Sequence, residues 1–417
     1  MRAGQRDLDI VIYGASGFAG SLTARYLAAA GGGIRVGLAG RSAERLEAVR
    51  RSSGAGAADW SLIVAELAAP EALQEMAART RVVLSTVGPY QQYGLPVVAA
   101  CAAAGTDYAD LTGEVPFVRK SIDLYHGQAA QSGARIVHSC GFDSIPSDLG
   151  VYALYRRVVE DNAGELGDTT FVLRAYSGGG SSGGTVATMI ELMRAPAKDP
   201  EMRRVVDDPY SLSPDRSVEP EFGPQPDMPL LRGGDIAPEL TGLWTGGYLM
   251  ALYNTRCVRR SNALLDFAYG RGLRYRETMS MGSWFAAPLV AAMSSATVVG
   301  ASKFGGRYLD MVPPGLIERL TPAPGTGFDQ GSLGHYRVET YTTTTSGARY
   351  MATVAQRGDP GYAATGVLFG QSALALALDR EGLSDLRGVL TPASSMGDVL
   401  LKRLPAAGVT ITTTRLN

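Results

Sequence analysis

The chain has 417 residues, 45% of them hydrophobic and 19% charged, with a formal net charge of −1. That length is too great for one ordinary domain and suits two, and the composition excludes a disordered chain. The near-neutral balance provides no basic surface, so nucleic acid is not an expected partner. Cys101, Cys140 and Cys257 are odd in number and far apart. They fit neither a disulfide framework nor a metal knuckle, so reduced thiols, a cytoplasmic location and no metal are expected. The polar first nine residues read as neither a signal nor a transit peptide.

In chain order, short apolar runs at 8–13, 34–39, 61–64, 82–86, 108–110 and 135–139 predict strands. Helical patterns separate them at 18–30, 43–51, 70–78, 95–104 and 115–132. Strands joined by helices of this length require crossovers, which gives an α/β domain over 1–150 with a Rossmann-type, doubly wound parallel sheet.

The pattern changes near Pro146. A strand is expected at 169–176, then a Gly/Ser run, then a helix at 186–193. Nine prolines in the 43 residues of 196–238 suggest an extended excursion or long loop. Runs at 336–344 and 349–356 flank Thr345-Ser346-Gly347-Ala348 and predict an antiparallel hairpin. A helix is expected over 362–378. Residues 151–360 are read as a second, α+β substrate- or lipid-binding domain, with 361–417 returning to the first.

The start of the chain carries the clearest chemistry. Ile10-Val11-Ile12-Tyr13-Gly14-Ala15-Ser16-Gly17-Phe18-Ala19-Gly20 reads as a buried strand, a glycine turn and a helix. Gly14 suits the tight turn, Gly17 lets backbone approach a pyrophosphate, and Gly20 lets the helix pack on the strand. The helix N-terminus then offers free N–H groups and the positive end of its dipole to the phosphates. At the end of the second strand an NAD enzyme places a carboxylate on the ribose 2′-hydroxyl. Here the sequence is Ala39-Gly40-Arg41-Ser42. A guanidinium clamps a 2′-phosphate, and Ser42 adds a hydroxyl, so NADP(H) is the expected cofactor.

Ligands of such sheets bind at the carboxyl ends of the strands. Three ends carry unusual residues: Thr86-Val87-Gly88-Pro89-Tyr90, Asp110-Leu111-Thr112-Gly113-Glu114, and Ser139-Cys140-Gly141-Phe142-Asp143-Ser144. Val87, Gly88 and Pro89 are expected along the nicotinamide ribose and ring. Tyr90 is the first choice of proton donor, with Asp143 or Ser144 next. The competing reading makes Gly88-Pro89 a turn and Asp110, Thr112, Ser147 and Asp148 helix caps. The three histidines, His126, His138 and His335, suggest no dyad, and His138 is expected to be packed in a buried strand.

The stretches VIYGASGFAG, STVGPYQQYGLPVVAACAAAGTDYADLTGE, CGFDSIPSDLG, SSGGTVATMIEL, RGDPGYAATG and GVLTPASSMGDVLLKRL resemble the saccharopine dehydrogenase-like oxidoreductase family nearly end to end. The resemblance is nearest to its mycobacterial branch of trans-acting enoyl reductases. It implies a Rossmann-type cofactor domain, NADP(H) held by Gly14, Ser16, Gly17, Phe18, Gly20 and Arg41, and the post-strand motif Gly88-Pro89-Tyr90. It also implies reduction of a carbon–carbon double bond in a polyketide-derived acyl chain, presented by a synthase or acyl carrier protein. Two alternatives stay open: an amino-acid or imine reductase of the saccharopine type, and a non-catalytic NADP-binding, lipid-associated scaffold. A homodimer is a further expectation, carried by no sequence feature.

No residue from 278 to 302 is charged. A helix over 284–301 would run about 27 Å, just short of a ~30 Å hydrocarbon core. A buried packing helix is the first reading. A helix lining a lipid channel or resting on the inner face of the plasma membrane is the second, and a spanning helix the third.

Overall fold

The computed structural model describes residues 6–31, 33–178, 199–311 and 334–417, apart from the side chains of 306–311 and 362. The first sheet begins with β1 (Leu8–Tyr13), β2 (Val36–Gly40), β3 (Ser61–Val64), β4 (Thr80–Ser85), β5 (Asp107–Asp110) and β6 (Arg135–Val137). All pair in parallel, in the order β3-β2-β1-β4-β5-β6. The near-continuous apolar runs of β1, β2 and β4 are what a sheet covered on both faces needs. The crossover helices are α1 (Phe18–Ala30), α2 (Ala43–Ser52), α3 (Pro70–Arg79), the single turn α4 (Tyr90–Tyr93), α5 (Leu95–Ala104) and α6 (Val115–Ser132). The order reverses between β1 and β4, so their carboxyl ends open the crevice where such folds bind dinucleotides.

Helix α7 (Ile145–Glu160) leaves the first sheet and packs against the second. Gly150 brings it close: a Cβ there would stand 3.2 Å from Thr340 Oγ1. The second sheet contains β7 (Leu166–Ser177), β8 (Leu231–Arg232), β9 (Trp244–Gly246), β10 (Arg274–Gly282), β11 (His335–Thr344) and β12 (Arg349–Arg357). It is antiparallel except for β7 with β10, and β11 and β12 form the expected hairpin.

The last stretch of chain divides between the two sheets. Before it come α8 (Pro200–Asp207), α9 (Gly233–Ile236), α10 (Ala251–Leu264) and α11 (Ala287–Met311). Then α12 (Thr365–Leu378) lies against α1, where Gln371 donates to the Tyr26 hydroxyl at 2.6 Å. Strand β13 (Gly388–Leu390) follows as a seventh parallel strand beside β6, and α13 (Pro392–Ala406) packs on α7. The final strand, β14 (Thr410–Arg415), instead joins the second sheet beside β12.

Two expectations need correction. The proline-rich stretch is not a free loop, because α10 fastens it with three buried arginines. Arg256 pairs with Asp227 at 2.8 Å and donates to the Val206 carbonyl. Arg259 donates to the carbonyls of Pro209 and Tyr275, and Arg260 to those of Leu212 and Val389. The charge-free stretch ends β10 and then, from Ala287, forms α11, which is not a buried helix. Ala287 and Ala291 face inward, and Ser294 donates to the Gly247 carbonyl, whereas Phe285 (96% exposed), Leu289 (62%) and Met293 (61%) face solvent. Among the described residues no helix is long and apolar enough to cross a membrane. The expected helix at 186–193 lies outside the described residues.

Candidate active site

The glycine turn is shaped by close approach. Gly14 has φ +82°, and a Cβ on it would lie 2.6 Å from Val87 Cγ2 and 2.8 Å from Thr86 Oγ1. A Cβ on Gly20 would lie 2.4 Å from the Gly14 carbonyl oxygen, so α1 can start there only on a glycine. Gly17 is the N-cap of α1 with no side-chain cap, which leaves the first N–H groups of the helix for a ligand. Ser16 beside it is exposed, and Phe18 is half-buried.

Thr86, Val87, Gly88 and Pro89 are half-buried at the end of β4, against this turn. The Thr86 hydroxyl donates to the Gly14 carbonyl at 3.1 Å. At the end of β2, Arg41 is exposed and forms no ion pair among the described residues. Its charge acts on the phenol of Tyr13, which burial pushes up to about 12. Ser42 caps α2, its hydroxyl accepting from the Arg45 N–H at 3.3 Å. The turn would fill if its glycines carried side chains, and no carboxylate closes the end of β2. Both features fit a dinucleotide with a 2′-phosphate.

Tyr90 turns away from the crevice. Its buried hydroxyl donates to the Ser85 carbonyl at 3.0 Å and accepts from the Leu111 N–H at 3.2 Å. Glu114 accepts from the N–H groups of Tyr90 and Gln91 at 2.8 and 2.7 Å, placing a carboxylate on the first turn of α4. Asp110 accepts from the N–H groups of Thr112 and Ser139, while its other oxygen lies 2.7 Å from His138 Nδ1. His138 Nε2 reaches Ser121 Oγ at 2.9 Å. The set looks like a hydrolase triad, but all three residues are buried, so it ties β5, β6 and α6 together.

Asp143 differs from these carboxylates. Its side chain is exposed to solvent, and the protein atoms crowded around it push its carboxyl up to about 6. Ser144 next to it is buried and donates to Asn254 Oδ1 at 2.8 Å. Asn254 Nδ2 lies 2.7 Å from the Asp143 carbonyl oxygen, 3.1 Å from Ser147 Oγ and 3.0 Å from Glu277 Oε2. Glu277 is fully buried, accepts from the Tyr275 hydroxyl at 2.7 Å, and is pushed up by burial to about 7. Asp148 accepts from the Ala393 N–H at 2.7 Å, so it serves the first turn of α13 rather than its own helix.

Aromatic rings line the same region. Phe142 packs on Tyr336 at 4.6 Å and on Tyr176 at 6.1 Å, and Phe171 stacks on Tyr248 at 5.4 Å. Asn254, Glu277 and Tyr248 come from the second half of the chain, more than 100 residues from Asp143. No local signal singled them out in the sequence: Glu277 follows Arg276 on a strand of mixed composition.

A parallel sheet ending in a glycine cradle and an unpaired arginine defines an NADP(H)-dependent oxidoreductase. Residues 10–137 match the saccharopine dehydrogenase NADP-binding domain family. The fold is similar to that of the apo, L-Glu-forming saccharopine dehydrogenase of Saccharomyces cerevisiae, with a TM-score of 0.55 and 14% identity, covering 98% of this chain and all of that one. The chain is 60% identical over 419 residues to the trans-acting enoyl reductase of Mycobacterium bovis BCG and 58% identical over 419 to that of Mycobacterium ulcerans, covering both partners completely in each case. It belongs to the trans-acting enoyl reductase family of the saccharopine dehydrogenase-like oxidoreductases.

Proposed function

We propose that this protein is an NADPH-dependent enoyl reductase acting in trans on an α,β-unsaturated acyl thioester. The acyl chain is polyketide-derived, and a separate synthase or acyl carrier protein presents it. The observation that carries the choice of acceptor is the chemistry around Asp143. Among the described residues the charges that act on Tyr248 are the acids Asp143 and Glu277 and the phenol Tyr176, and Asp143 feels burial alone. An amino diacid would need arginines or lysines there, whereas an apolar acyl chain needs none. Saccharopine-type chemistry is therefore the weaker reading.

NADPH, when bound, supplies the hydride. Gly14, Gly17 and Gly20 shape its pyrophosphate cradle, Arg41 and Ser42 face the 2′-phosphate, and Val87, Gly88 and Pro89 wall the ring. Double-bond reduction also requires a proton for the α-carbon. Asp143 is our choice for it: its carboxyl is open to solvent, and its raised pKa leaves a neutral fraction near physiological pH. Tyr90 and Ser144, whose hydroxyls are committed within the protein, hold the loops on either side.

The exposed face of α11 adds a location. Phe285, Leu289 and Met293, with Trp284 beside them and Lys303 near the far end, suit a helix resting in the headgroup layer of an anionic membrane. This supports the reading that the protein works in the cytoplasm, against the inner face of the plasma membrane. Sedimentation with anionic vesicles, lost in Phe285→Asp/Leu289→Asp, is the expected result. A dimer that dissociates in the same variant would assign the face to a second copy instead.

The reaction is tested by following NADPH oxidation with an enoyl thioester, free and on a carrier protein, against a keto acid plus amine. Turnover of the latter pair alone would overturn the proposal.

A further inference from the structure

Tyr248 lies on the loop between β9 and α10, and that loop is anchored at both ends. Behind it, Gly246 and Gly247 press their backbone on α11, where added Cβ atoms would lie 3.0 Å from the Ala291 carbonyl oxygen and 3.1 Å from Ser295 Cα. Ahead of it, Met250 sits against Gly113, whose Cβ would meet Met250 Cε at 2.8 Å. Four residues further on, Asn254 holds the Asp143 carbonyl and the Ser144 hydroxyl. The loop thus reaches from the second sheet across the carboxyl ends of β5 and β6.

The ring of Tyr248 is fixed by a near-parallel stack on Phe171, with 14° between the planes. Its hydroxyl has no hydrogen-bond partner among the described residues, although the ring is half-buried. The other tyrosines around these strand ends are committed: Tyr90 to Ser85, Tyr253 to Ser139 and Tyr275 to Glu277. A fixed ring with a free hydroxyl beside an open carboxyl is the arrangement of a ligand-facing donor.

We infer that Tyr248 is the hydroxyl donor for the thioester oxygen, working with the neighbouring Asp143; this rests on the enoyl reductase reading above. In the step, the β-carbon accepts the hydride and the C=C π electrons move through the α-carbon to the carbonyl oxygen as an enolate. The Tyr248 O–H donates to that oxygen without losing its proton. Burial and the neighbouring acids hold the phenol well above its usual range, so it stays a donor at working pH. The enolate then collapses, the α-carbon takes the proton of Asp143, and the thioester carbonyl re-forms. Asp143 regains a proton from solvent, to which it is open.

The test is Tyr248→Phe, which keeps the stack on Phe171, assayed with saturating NADPH and an enoyl thioester. The expected kcat falls about 100-fold, the loss typical of one oxyanion donor, while NADPH affinity and melting temperature stay at wild-type values. A second readout needs no turnover. A β-ketoacyl thioester added to the NADP⁺-loaded protein should show its enolate absorbance with wild type, and about tenfold less with Tyr248→Phe. If wild type turns over and Tyr248→Phe keeps kcat within threefold, Tyr248 is not the donor and the enoyl reductase reading stands. A loss of kcat accompanied by weaker NADPH binding or a lower melting temperature makes the residue structural and equally overturns the inference. If wild type reduces no enoyl thioester, free or carrier-bound, both readings fall together.

Discussion

Replacing Gly17 with alanine separates the cofactor role of the glycine turn from its folding role. Gly17 has φ −77° and ψ 168°, a conformation open to any residue. An added Cβ would stand 3.2 Å from the Gly14 carbonyl oxygen, so a shift of a few tenths of an ångström accommodates it. Alanine is a poorer N-cap than glycine, which costs about 0.5–1 kcal/mol. For a chain of 417 residues that lowers the melting temperature by only roughly 0.5–1 °C. A methyl group on the surface of the cradle, however, keeps a pyrophosphate from closing on the helix N-terminus. The dissociation constant for NADPH should therefore rise at least about tenfold, or ~1.4 kcal/mol. Gly14→Ala and Gly20→Ala provide the contrast. The first forces alanine to φ +82°, at about 1–2 kcal/mol, and into Val87; the second drives a Cβ to 2.4 Å from backbone that cannot yield. Both should damage the fold as well as binding. Thermal melts with NADPH fluorescence titrations read the two quantities independently. Gly17→Ala binding NADPH within twofold of wild type would show that the turn does not cradle a pyrophosphate.

Three further outcomes are expected. Arg41→Ala should lower the preference for NADPH over NADH by at least about tenfold with NADH kinetics unchanged, since a guanidinium–phosphate contact contributes about 1.5–3 kcal/mol; an unchanged preference would place the 2′-phosphate elsewhere. Because the carboxyl of Asp143 is raised to about 6, kcat limited by proton donation should fall as pH rises through that value, and Asp143→Asn should remove this limb of the profile; a limb that persists belongs to another group. Arg256→Ala leaves Asp227 without its 2.8 Å partner in a largely buried site, so stability should drop about 3–5 kcal/mol, and limited proteolysis should reach the 208–230 segment; wild-type resistance there would show that other contacts hold the segment.

The acids whose carboxyls are raised add a pH dependence of stability whose sign is fixed. Asp143 and Asp148 are raised to about 6 and Glu277 to about 7 in the folded protein, above the usual carboxyl values of the unfolded chain. The folded state therefore binds more protons. The stability linked to these groups is complete below about pH 4 and is lost as pH rises through 6 and 7. Urea unfolding at pH 6 and pH 8 should show a drop in wild type that Glu277→Gln reduces.

The first six parallel strands were legible because each is a short apolar run between crossover helices, and a sheet covered on both faces must be written that way. The seventh, Gly388–Leu390, was not: three residues carry no periodicity, and only a neighbour 250 residues earlier makes them a strand. The proline-rich stretch misled for a related reason. Its composition predicts no element of its own, and what orders it is the row of arginines on α10, invisible as partners until the chain is folded. Helix α11 misled in the opposite sense, since an uncharged run implies burial only when something covers its outer face.

The site divides along the same line. Gly14, Gly17, Gly20 and Arg41 could be read because a dinucleotide cradle is a local device: strand, turn and helix adjoin in sequence, and the fold adds only the opposing wall at Val87. The proton-handling groups are not local. Tyr90 stands where a donor would be expected in the sequence, yet its hydroxyl donates its hydrogen bond to the carbonyl of Ser85, at the end of the strand just before it. Tyr248 stands in no motif, and its hydroxyl has no hydrogen-bond partner among the described residues. The difference lies in which hydrogen bonds each phenol makes, a property set by strand ends meeting in space.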